Sequence, residues 1–170
     1  MAASLIAAAS SAPQFDHSPG EFSDEYHLSA AAIRSISFGL LPPISDWLLL
    51  LAIIDVVSAF VAPKELSSQF FCFDLVSDLD PFFLEAYAEG GRFVTVVRND
   101  VEGAVRLVEK GLAVQRGEIQ KLRATTPGRY WSNDFDLPFL AGYLYLCEKP
   151  DLERAAKNFT EAARAPNAPA

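Results

Sequence analysis

The stretch LDPFFLEAYAEGGRFVTVVRNDVEGAVRLVEKGL, running from Leu79 to Leu112, reads as two helices joined by a short turn. Asp80 offers a carboxylate to the free N–H groups of a helix start, and Pro81 suits a first helical position, so the first helix is expected to begin at Asp80-Pro81. Phe83, Leu84, Tyr87, Phe93, Val94 and Val97 recur mostly at three and four, the spacing of one buried helical face. Gly90 and Gly91 interrupt that helix. Two interior glycines cost roughly 1–2 kcal/mol against alanine, so their expected use is close approach of a neighbouring helix. Asn99-Asp100 supplies a turn and a second N-cap, followed by an apolar stripe of Ala104, Leu107, Val108, Gly111 and Leu112. A turn this short forces the two helices to pack antiparallel.

A second copy of the pattern lies downstream in DLPFLAGYLYLCEKPDLERAAKNFTEAARAP. Shifted by 51 residues, Gly142 falls on Gly91, Asp151 on Asp100, Ala155 on Ala104 and Phe159 on Val108, which reads as an internal repeat. The unit resembles the tetratricopeptide repeat, a helix-turn-helix that stacks into a solenoid, with Asp100 at the turn position and Ala104 as the small residue four later. It departs from that family at Ala88, where tryptophan is usual, at Arg92, where glycine is usual, and at Lys149-Pro150, which replaces the usual turn glycine. LDPFFLEAYAEGGRF followed by NDVEGAVRLVEKGL is similar to a group of divergent bacterial repeat proteins with a comparable Leu-Asp-Pro helix and Gly-Gly pair. FGLLPPISDWLLLLAII and Phe135-Asp136-Leu137-Pro138 extend this likeness over roughly residues 36–165.

Upstream, residues 1–22 are rich in Ala, Ser and Pro and read as a flexible leader. No Lys or Arg precedes Arg34, which argues against a secretory signal or an organellar transit peptide. A helix is expected from about Asp24 to Phe38, stopped by Gly39 and Pro42-Pro43. Ser45 is read as the cap of the next helix, SDWLLLLAIIDVVSAFVA, the most hydrophobic in the chain. Its apolar run from Trp47 to Ala62 has 16 residues and contains Asp55, whereas a membrane span needs about 20 and avoids charge. Two readings follow: a buried helix within an all-helical domain, which is favoured, or a short helix docking at a membrane. Lys64 to Leu79 gives another helix, with Phe70 and Phe73 on its apolar side. Residues from Gln115 to Asp136 are read as a connector between hairpins, and residues 166–170 as a disordered tail. The fold class is therefore all-α, with about seven helices in antiparallel hairpins stacked as a short solenoid and a single domain over residues 23–165.

Of 170 residues, 51% are hydrophobic and 21% charged, a globular balance. Cys72 and Cys147 lie in apolar helical runs and read as buried free thiols, with a disulfide or a reactive thiol as the alternatives. The net charge is −8, unevenly spread: residues 1–90 hold 12 acidic and 2 basic side chains, a balance of −10, and residues 91–170 hold 10 acidic and 12 basic, +2. Such asymmetry is either a by-product of solvated helix faces, or steers a basic partner or a second copy head to tail. The negative total disfavours nucleic acid.

Catalysis needs convergent groups, and few are available. His17 and His27 lie in or near the leader, no phosphate loop, dinucleotide fingerprint or nucleophile elbow is present, and Asp74, Asp78 and Asp80 read as surface charges and a cap. The expectation is a non-catalytic scaffold or assembly factor without cofactor or metal that binds a protein or peptide, including one with a basic segment; its compartment is left open, with the cytoplasm favoured over a membrane-peripheral place. The first helices of the two hairpins would line its groove with Glu89, Phe93, Val96 and Val97 from one copy and Leu140, Leu144 and Cys147 from the next. The alternatives are a membrane-peripheral factor docking through residues 45–62 and an enzyme built around the carboxylates of residues 74–89.

Overall fold

A computed structural model describes residues 29–54, 66–125, 131, 133–166 and 168. The expected leader, the start of the first helix through Leu28, both histidines, Asp55–Ala62, Lys64 and Thr126-Pro127-Gly128 lie outside these residues. Among the described residues the chain is all-helical, with no strand and seven helical segments. We label them α1 (Ala30–Ile36), α2 (Leu41–Ile54), α3 (Ser68–Leu79), α4 (Leu84–Arg98), α5 (Val101–Val114), α6 (Asp136–Tyr143) and α7 (Leu152–Arg164). A π-helical turn over Gln115–Ile119 and a short α-helix, Gln120–Thr125, prolong α5, so the expected connector is in large part helix. A second π-turn, Leu144–Glu148, prolongs α6.

Pro42-Pro43 does not break the chain between helices as expected. Both prolines sit in the first turn of α2, where a missing N–H leaves no hydrogen bond unmade, and Ser45 is a buried residue inside that helix rather than its cap. The α1–α2 link bends through Phe38 and Gly39, both with positive φ (48° and 88°). Asp80 closes α3 instead of opening α4, although its Oδ1 accepts from the Phe82 N–H (3.0 Å). The start of α4 accordingly shifts to Leu84.

The turn between α4 and α5 forms as its sequence requires. Asn99 takes the left-handed conformation (φ 57°) that asparagine tolerates, and Asp100 caps α5 through the Gly103 N–H (2.7 Å). The second hairpin repeats this geometry. The Asp100 N–H donates to the Val94 carbonyl (3.1 Å) and the Asp151 N–H to that of Tyr145 (2.8 Å), while Asp151 caps α7 through the Arg154 N–H (3.0 Å). All three pairings are 51 residues apart.

The glycines set the packing distances. A Cβ on Gly91 would stand 2.6 Å from Val108 Cγ2, and one on Gly142 would stand 2.7 Å from the Phe159 ring, again equivalent positions. Gly90 lies under Phe73 of α3 in the same way (2.8 Å). The core accordingly runs through Phe73, Tyr87, Val94, Leu107, Leu112 and Leu137, joining α3 to α6.

Candidate interaction surface

The residues expected to line a groove do not share one surface. Leu140 and Leu144 are buried, a correction to the groove assignment. Gly91 leaves a slot on α4 that Val108 of the same hairpin enters first and that Leu140 reaches from the next, 3.3 Å from where a Cβ would stand, so this position also serves contact between hairpins. Phe93 is half-buried, its ring 6.0 Å from that of Phe73. Glu89 is exposed but bonded to Arg92 (2.6 Å), which also reaches Asp136 of α6. Val96 is open to solvent at 77% exposure, Val97 is half-buried, and Cys147 is exposed at the end of the α6 extension.

The carboxylates of residues 74–89 are largely engaged in structure. Lys110 of α5 bonds both Asp74 (2.6 Å) and Asp78 (2.7 Å), tying α5 to α3. The Tyr87 hydroxyl donates to the Pro81 carbonyl (3.1 Å), and burial first, then the charges of Asp78 and Asp80, push its pKa well above the usual phenol range. Tyr87 is thus a neutral donor holding the α3–α4 link. Between the hairpins, Lys149 bonds Glu102 (2.8 Å) and holds its carboxyl below the usual range. Tyr145 donates to Glu109 (2.9 Å) and accepts from Arg154 (2.9 Å).

An open cleft of ≈ 630 Å³ lies between the prolonged end of α5 and α7, with Gln115, Arg123, Asp134, Lys157, Glu161 and Arg164 on its walls. Much of its charge is internally matched: Arg123 pairs with Asp134, and Glu161 takes a two-pronged bond from Arg116 (3.0 and 2.6 Å). Among the described residues no group of three or more His, Cys, Asp or Glu side chains is placed to hold a metal ion.

The feature that stands out is apolar and lies at the other end of the molecule. On α2 only Ser45 and Ala52 are buried, contrary to the expectation of a buried hydrophobic helix. The reason is its position at one end of the array. Its principal helical neighbour among the described residues is α3, and most of WLLLLAII meets no other described helix closely. Trp47 (61% exposed), Leu50, Leu51 and Ile54 recur at three and four along α2, and Ile36, Phe38 (93%) and Leu40 continue the apolar surface from α1. Between the two helices runs a cleft of ≈ 480 Å³ lined by Ile33, Ile36, Leu40, Ile44, Trp47 and Leu48. Left-handed backbone at a fully exposed phenylalanine is unusual for a bulky residue, and here it holds the ring outward. Among the described residues no helix is long and apolar enough to cross a membrane.

The sequence carried the signal for this surface, the run of apolar residues at 47–54, but not its exposure. Comparison with known proteins found no matching family model, and neither the curated proteins nor the solved structures include a significantly similar chain.

Proposed function

We propose that this chain is a non-catalytic scaffold that binds another protein through the apolar face of α1 and α2, on a body of divergent tetratricopeptide-like hairpins. The observation that carries the binding role is the row Trp47, Leu50, Leu51 and Ile54 left open to solvent beside Phe38 and Leu40. Soluble chains keep contiguous apolar patches to about 300–600 Å², and larger ones mark interaction sites. The repeat reading is supported by the paired positions 51 residues apart: Gly91 under Val108 with Gly142 under Phe159, and Asp100 with Asp151 at the two caps.

The test is affinity capture with the unaltered chain and with Trp47→Glu/Leu51→Glu, followed by reconstitution of each recovered protein from purified components. Loss of a reconstituted partner on the double substitution, with retention by Glu89→Ala/Phe93→Ala, is the expected result. Partners indifferent to α2 but lost with Glu89 and Phe93 would move the site to the α4–α6 side. A second reading, docking of the same face on a membrane, is favoured by exposed Trp47, whose amphipathic indole suits a lipid interface, and by exposed Phe38, which adds apolar surface. Flotation with neutral lipid vesicles, abolished by Trp47→Glu, would establish it.

A further inference from the structure

We infer that the occupant of the α1–α2 face is a basic amphipathic helix presented by the partner protein. This deepens the binding role proposed above and rests on it. The first argument is shape. The 14 residues of α2 make a rod of roughly 21 Å, and a second helix laid along it meets Trp47, Leu50, Leu51 and Ile54 with its own residues at i, i+3, i+4 and i+7. The neighbouring cleft of ≈ 480 Å³ is a socket for one or two anchoring side chains. At ordinary side-chain areas, roughly 150–250 Å² for an aromatic, the exposed apolar residues of α1 and α2 present on the order of 1,000 Å². About 800 Å² per partner makes a standard stable interface.

The second argument is charge, and it selects among occupants of that shape. Within residues 29–54 the only charged side chains are Arg34 and Asp46. Asp46 is exposed beside Trp47, and Arg34 donates to the carbonyl of Asp78, which sets the end of α3, where Asp74 and Asp78 share Lys110 and Asp80 follows, at the margin of the face. In the described residues up to Gly90 the acidic side chains are Asp46, Asp74, Asp78, Asp80, Glu85 and Glu89 against the single basic Arg34, a balance of −5. A second copy docked face to face would bring another such balance against it, and an anionic bilayer is repelled in the same way. A helix with leucine-like anchors on one side and Lys or Arg on the flanks gains both apolar contact and attraction.

The experiment uses the full chain and two labelled peptides of about 18 residues, long enough to hold a helix. Both carry leucine on one face, with lysine on the other in one peptide and glutamate in the other. Fluorescence anisotropy is expected to give about micromolar binding of the leucine–lysine peptide, weakened at least about tenfold as salt rises from about 0.05 to 0.5 M. Binding should also fall at least about tenfold in Trp47→Glu/Leu51→Glu and in the milder Leu51→Ser, with the helical circular dichroism unchanged. Equal binding of the leucine–glutamate peptide, or lysine-peptide binding indifferent to Trp47 and Leu51, overturns the basic occupant. In the first case the apolar docking role survives. Concentration-dependent dimers abolished by Leu51→Ser, or flotation with neutral vesicles in place of peptide binding, would assign the face to a second copy or to lipid. A monomer that takes up neither peptide nor vesicle, and whose reconstituted partners ignore α2, removes the docking role as well.

Discussion

A single added methyl group separates the glycines of this protein into two kinds. At Gly91 it would press on Val108 at 2.6 Å and Leu140 at 3.3 Å, whereas at Gly117, in the π-turn after α5, nothing lies within 4 Å. Gly117→Ala is therefore expected to raise stability by about 0.5–1 kcal/mol through helix propensity alone. Gly91→Ala is expected to lower it by about 1–3 kcal/mol, because overpacking exceeds the same gain, and Val108→Ala in that background should restore part of the loss. Thermal melts of the three variants check the signs. Tyr87 makes a pH-dependent prediction. The folded state holds its phenolic proton more tightly than the unfolded chain does, owing to burial and the nearby Asp78 and Asp80. Its contribution is whole below the unfolded tyrosine value of about 10 and is lost as pH rises through the higher folded value. Melting temperature should thus decline on the alkaline side of about pH 10, and Tyr87→Phe should flatten that decline.

At the scale of elements, the two capping aspartates look equivalent in sequence and differ in what they hold. Asp151 is half-buried and caps its own helix, with Arg154 at the third helical position. Asp100 is buried and serves two helix starts: it accepts from Gly103 of α5 (2.7 Å) and from the Ser67 N–H at the cap of α3 (2.7 Å). That second bond draws the carboxylate over position 103, where a Cβ would lie 2.5 Å from its Oδ2, and so explains glycine there against arginine at 154. Asp151→Ala should cost about 1 kcal/mol, the usual loss of a cap. Asp100→Ala should cost about 2–4 kcal/mol, because it also strands a buried N–H. Urea melts of the two variants test the difference. Equal losses would mean that the bond to Ser67 adds nothing.

For the whole molecule, helices are joined along the array by apolar contacts and by ties between elements: Lys110 to Asp74 and Asp78, Arg92 to Asp136, Arg116 to Glu161, and Tyr145 to Glu109. The packing is lopsided, with α3 to α7 sharing the core and α2 supported from one side. Charges placed on the open side of α2 should then leave folding almost untouched. Trp47→Glu/Leu51→Glu is expected to melt within about 0.5 kcal/mol of the unaltered chain, as surface substitutions do, and to bind less of an apolar dye. A loss of several kcal/mol would mean that this face is internal to the folded chain.

Sequence by itself determined the helical class, the pair of helices meeting at Asn99-Asp100, the cap at Asp100 and the spacing of 51 residues, because periodicity, capping and turn chemistry are local, but it opened the first of those helices at Asp80 rather than Leu84. It also marked Gly90 and Gly91 as places of close approach, with Gly142 as the counterpart of Gly91 in the second copy. Tertiary structure decided which apolar side chains found neighbours. Leu140 went into the core beside Gly91 and Val108, and Leu144 joined the same core, while the more hydrophobic α2 stayed half bare because it stands at one end of the array of described helices. Hydrophobicity states how strongly a residue favours burial. Whether burial is available depends on what packs beside it, and that is a property of the assembled helices rather than of any one segment.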